Sequence, residues 1–142
     1  MNLREFFNST IQNGGASYNI TTGELNPNVG YFVSVPNHEV KIPFSQFNAD
    51  VVTTFINTNA ELLSGEHTFV GTWIENNTVY LDVTEQLFDK RIALRLGLER
   101  NQLAIYDATT GKVINLPSER QTHGTLTQQK AYITSLVNQL DR

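Results

Sequence analysis

The chain has 142 residues, 39% of them hydrophobic and 17% charged, with eight Phe, five Tyr and no Cys. That is the composition of a single globular domain large enough to bury a core unaided, and the missing cysteines exclude disulfides, thiolate zinc sites and cysteine nucleophiles. The net charge of −4 is uneven, with two basic and nine acidic groups in residues 1–88 against eight basic and five acidic in residues 89–142, an acidity that argues against nucleic acid as the primary partner and is too mild for a DNA mimic.

The opening segment "NLREFFNSTIQNGG" sets Leu3, Phe6 or Phe7, and Ile11 at helical spacing and ends on a Gly14-Gly15 stop, which predicts a short amphipathic helix. It contains no apolar run of signal-peptide length. "ASYNI" reads as a strand and "TTGELNPNVG" as a loop broken by Pro27 and Gly30. "YFVSV" resumes strand character up to Pro36-Asn37, with "EVKIPF" as its short partner strand. In "NADVVTTFINTNAELLSG" the apolar residues Val52, Phe55, Ile56 and Leu62 or Leu63 form one stripe, with Asn48 as N-cap and Gly65 as terminator.

The hairpin "GTWIENNTVYLDV" follows. An Asn76-Asn77 turn, tolerant of positive φ, fixes its register: Trp73 faces Tyr80, Gly71 faces Asp82, and Val70, Thr72, Ile74, Val79, Leu81 and Val83 share the core side. The other side receives Phe69, Gly71, Trp73, Tyr80, Asp82 and Thr84. A Trp73–Tyr80 cross-strand pair contributes about 0.2–1 kcal/mol over Ala–Ala, so stability alone accounts for it. The alternative is a binding surface, in which Gly71 leaves a notch beside the aromatic pair and Asp82 supplies an acceptor for a cationic side chain or a polar ring. Catalysis by Asp82 is the third reading.

Next, "DKRIALRLGLERNQ" places Asp89 as a cap, Ile92, Ala93, Leu96 and Gly97 on a narrow apolar face, and Asn101 at a left-handed end. Arg91 and Arg95, four apart, share a helix face, suited to phosphate or an acidic partner and equally to plain solvation. "LAIYD", "TTGK" and "VINL" read as strand, turn and strand; "PSERQTHGT" is a linker; "LTQQKAYITSLVNQL" returns to helical period. The order predicts an α+β fold, a mainly antiparallel sheet with helices packed largely on one face. Residues 1–116 are read as a single domain, 117–125 as the linker and 126–142 as a C-terminal helix able to mediate homo-oligomer formation.

Chemistry is sparse. His38, His67 and His123 lack the HxH, HxxxH or HExxH spacing of a metal site, and no GxSxG, Walker or GxGxxG motif occurs. Fourteen carboxylates offer many acid/base pairs, and spacing singles out none. The balance is against an enzyme, with no cofactor and no metal expected. No stretch approaches the roughly 20 apolar residues of a membrane span. The sequons at Asn8, Asn19 and Asn76 are taken as chance in an Asn- and Thr-rich chain, and the protein as soluble and cytoplasmic.

The stretch "VGTWIENNTVYLDVTEQLFDKRIALRLGLERNQLAIYDATTGKVI" resembles a group of small uncharacterised proteins and domains of bacteriophages and integrated mobile elements. Their pattern is a Gly-Tyr strand entry, a GxW strand, a VYLDVS strand, a D-x-x-x-A helix and an NQxAIxD strand. Here these correspond to Gly30-Tyr31, Gly71 to Trp73, Val79 to Thr84, Asp89 to Ala93 and Asn101 to Asp107, across roughly residues 14–115. The resemblance implies a phage or mobile-element origin in a host cytoplasm, where many short acidic proteins bind host machinery, including defence systems. Three functions are therefore carried forward. The first is a non-enzymatic accessory protein that binds a host or phage protein, as an inhibitor of host defence. The second is a nucleotide-like ligand binder or enzyme using Trp73, Tyr80 and Asp82, and the third a virion-associated structural protein.

Overall fold

The computed structural model describes residues 3–116; the expected linker and C-terminal helix lie outside the described residues. Among the described residues there are three α-helices and seven strands whose ladders run mainly antiparallel, so the fold is α+β with a mainly antiparallel sheet. The chain divides into two compact units, residues 3–27 with 35–86 and residues 28–34 with 87–116.

In the first unit, helix α1 (Leu3–Asn13) leads into strand β1 (Gly15–Tyr18) through Gly14, whose φ of +77° is the left-handed stop the sequence predicts. Its buried face differs from the expected one. Phe6, Ser9 and Thr10 are buried and Ile11 is exposed. The face turns because Thr10 is satisfied without water: its hydroxyl donates to the Phe6 carbonyl and pairs with the Thr72 hydroxyl.

Helix α2 (Ala49–Thr58) is capped by Asn48, whose side chain accepts from the Val51 N–H. It ends at Asn59 rather than continuing to Gly65. Asn59 and Thr58 turn their side chains back onto the carbonyls of Phe55 and Thr54, a competition with backbone hydrogen bonding that ends helices. Leu63 is still buried, from a separate 3-10 turn at Leu62–Ser64.

Strands β4 (Thr68–Glu75) and β5 (Thr78–Leu87) form the predicted hairpin in the predicted register, turning through Asn76 and Asn77 at φ +51° and +60°. β1 flanks β4, pairing Gly15 with Trp73 and Ser17 with Gly71. Strand β3 (Val40–Pro43) flanks β5, pairing Lys41 with Tyr80 and Pro43 with Thr78. Sequence reasoning made β3 the partner of the preceding strand. It joins β5 instead: Pro36-Asn37, with Asn37 at φ +71°, redirects the chain and forms no hairpin ladder.

α1 and α2 lie on the same face of these strands. Phe6, Tyr18, Val52, Phe55, Ile56, Val70, Val79, Leu81 and Val83 form one core, with Phe6 stacked on Tyr18. Both sheet margins of this unit are finished. Asn26 covers β1, its backbone N–H donating to the Ser17 carbonyl and its side-chain oxygen accepting from the Ser17 N–H. On β3, the Phe44 N–H donates to the Asn77 carbonyl, so ladder alternation turns the backbone of Lys41 and Pro43 away from β5, and Pro43 has no N–H to offer there.

In the second unit, β2 (Tyr31–Ser34) pairs with β6 (Ala104–Asp107), and β6 with β7 (Lys112–Asn115) around a turn held by Asp107, which accepts from the Thr109 and Thr110 N–H groups. Helix α3 (Lys90–Glu99) starts at Asp89, which accepts from Arg91 and Ile92 N–H, and ends at Asn101 with φ +55°. Its buried side is Ala93, Leu94, Gly97 and Leu98, one residue on from the predicted face, a rotation of about 100°. Gly97 sets that rotation. A Cβ there would come within 2.6 Å of Leu116 Cδ1 and 2.9 Å of Ile105 Cγ2, so the helix rests on those side chains at its glycine.

Candidate functional site

Strand alternation delivers a row of four positions across the first unit on the face opposite α1 and α2: Gly15, Trp73, Tyr80 and Lys41. Trp73 is the chain's single tryptophan and is 53% exposed. α1 packs on the core face, so it leaves Trp73 uncovered. The face is graded along the strands. Phe69 and Thr84 on the same side are buried, while the end next to the Asn76-Asn77 turn is open.

The two rings have different neighbours. Gly15 lacks the side chain that would meet Trp73 Cε3 at 3.3 Å, so the indole lies down over β1 at that point. Its N–H donates to Glu75 Oε2, two residues along the same strand, at a long 3.4 Å. Tyr80 lies instead beneath the Lys41 ammonium, 5.7 Å from Nζ to the ring centroid. Trp73 and Tyr80 therefore stand side by side on one sheet face, each offering a plane, and do not form a clamp around a third ring. Gly71 is buried, and its missing side chain leaves no open notch: a Cβ there would collide with Asp82 Oδ1, so the half-buried carboxylate occupies that space. Asp82 sits beside the aromatic row within the sheet.

Arg91 and Arg95 are both exposed on α3, in the second unit, as their spacing predicts. The histidines within the described residues face amide side chains: His38 Nδ1 is 3.0 Å from Asn59 Oδ1, and His67 Nδ1 is 3.3 Å from Gln86 Oε1. No cluster of three or more metal-ligating side chains occurs among the described residues, and no helix there is long and apolar enough to cross a membrane.

An open groove of about 380 Å³ lies between β3 and α2, floored by Val40, Ile42, Val51, Phe55 and Leu81. On its polar rim Asn48 caps α2, Asn59 is bonded to Phe55 and faces His38, and Thr58 turns back onto Thr54, while Asp50 and Thr54 line the same opening.

Sequence reasoning missed two members of the row, Gly15 and Lys41, and the neighbouring Glu75. Glu75 was accessible to it, because alternation places residue 75 on the side of residue 73. Gly15 and Lys41 were not, since they join through pairings of β1 and β3 that no local pattern specifies. No protein-family model, curated protein or solved structure matches this chain.

Proposed function

We propose that this protein is a non-enzymatic accessory protein that acts by binding a partner protein through the open end of the β1–β4–β5–β3 face. The observation that carries the reading is the half-exposed Trp73, held on a paired central strand by Gly15 beneath it and Glu75 beside it. Holding a large ring open to water is unfavourable for the free chain, and rigid exposed tryptophans are the residue type that most often dominates binding energy at protein interfaces. A phage or mobile-element origin and the inhibition of a host defence system complete the proposal, and these two rest on the sequence resemblance alone. Assembly of the protein with itself through residues 126–142 remains part of the proposal.

The nucleotide-binding alternative asks one planar ring to be held by both aromatics, and their side-by-side placement favours the protein-binding reading over it. The test is capture from host extract by the wild-type chain and by a Trp73→Ala, Asp82→Ala double variant. One dominant protein retained by the wild type and lost by a folded double variant is the expected result; equal retention by both puts the binding surface elsewhere.

A further inference from the structure

The aromatic row already shows what chemistry it accepts. Lys41 places its ammonium over Tyr80, an intramolecular cation–ring contact. The adjacent ring, Trp73, is the stronger cation acceptor of the two side-chain types, and among the described residues no cation lies over it. Its indole N–H takes up part of the acceptor capacity of the Glu75 carboxylate, which is exposed and retains further lone pairs. The surrounding charge has the same sign as Glu75: residues 3–27 and 35–86 contain nine carboxylates against Arg4 and Lys41 alone. A planar π face, an adjacent carboxylate and a negative field together complement a planar cation that can stack and fork at once. That cation is a guanidinium, since an ammonium is a strongly hydrated point charge without a plane to lay on the ring.

We propose that Trp73 and Glu75 together form a receptor for an arginine side chain on a basic segment of the partner protein, the guanidinium stacked on the indole and hydrogen-bonded to the carboxylate. This rests on the reading of the open face as the binding surface and assigns its ligand chemistry.

The single tryptophan gives one indole N–H resonance, so a titration of the isotope-labelled full chain reads this site directly. The probes are three short blocked glycine peptides, carrying two arginines, two lysines or two glutamines. The arginine peptide is expected to move the indole signal saturably and about fivefold more tightly than the lysine peptide, with the glutamine peptide inert. Glu75→Gln should weaken the arginine peptide by about threefold or more. Glu61→Gln, an exposed carboxylate in the turn after α2, should leave it unchanged. Equal response to arginine and lysine, equal loss in the two Gln variants, or an unmoved indole would each overturn the proposal. The two levels fail separately. If the peptides leave the indole untouched while the Trp73→Ala, Asp82→Ala variant still loses the captured protein, only the arginine chemistry falls; if that variant retains the captured protein, the surface falls with it.

Discussion

Two residues show how much a side chain's meaning depends on what surrounds it. Asn19 reads in the sequence as a chance sequon, yet it is fully buried. Its amide nitrogen donates to the carbonyls of Gly65 and Glu66, at 3.4 and 2.6 Å, and its oxygen accepts from the N–H groups of Thr21 and Thr22. It ties the loop after β1 to the turn before β4. Asn19→Leu keeps the volume roughly and strands these backbone groups, so it should destabilise the protein by about 2–4 kcal/mol, read as a lower urea midpoint at unchanged slope. Gly71 is the second case. The sequence shows a missing side chain as an empty notch, whereas the neighbouring Asp82 carboxylate fills it. Gly71→Ala should cost about 1–2 kcal/mol, and most of that should vanish in an Asp82→Ala background, a coupling that a double-mutant cycle measures. No single-strand pattern could have revealed either role, because both depend on contacts across strands or loops.

At the scale of elements, what was legible follows from local chemistry. Asn48 and Asp89 as caps, Gly14 and Asn101 as left-handed stops, and the Asn76-Asn77 turn with its register all appear where the sequence places them. These signals act within a few residues, so no tertiary information is needed to read them. Helix faces were read less well. On α1 and α3 the hydrophobic stripe pointed to Ile11 and Ile92, which are exposed, because a satisfied Thr10 and a side-chain-free Gly97 decide which side meets the sheet. Gly97→Ala separates the two influences on α3. Intrinsic propensity favours Ala by about 1 kcal/mol in a helix interior, but the added methyl meets Leu116 and Ile105. The expected outcome is a net loss of about 1–3 kcal/mol, seen as a lowered thermal midpoint.

At the scale of the whole molecule, the fold class was readable from the alternation of strand clusters and lone helices, and the strand order was not. β3 pairs with β5, and β2 with β6, through contacts far apart in sequence that composition does not encode. The candidate face was legible to the same extent: the hairpin's own contribution, Trp73, Tyr80, Gly71 and Asp82, was read correctly as sharing a side, and the flanking contributions were not. The finished margins of the first unit bear on how such a molecule behaves at high concentration. A sheet whose edge strands present unpaired backbone groups is at risk of pairing edge to edge with its own copies. Here the β1 edge is occupied by Asn26, and the outward backbone of β3 has a cationic residue at Lys41 and an imino acid at Pro43. Pro43→Val restores a donor to that edge and should convert a clear solution into one whose light scattering rises with concentration and time, relative to wild type under the same conditions. The sheet thus leaves an aromatic open on its face while its rims are closed to pairing, so that a partner bound at the face, as proposed, would meet single molecules and not stacked copies.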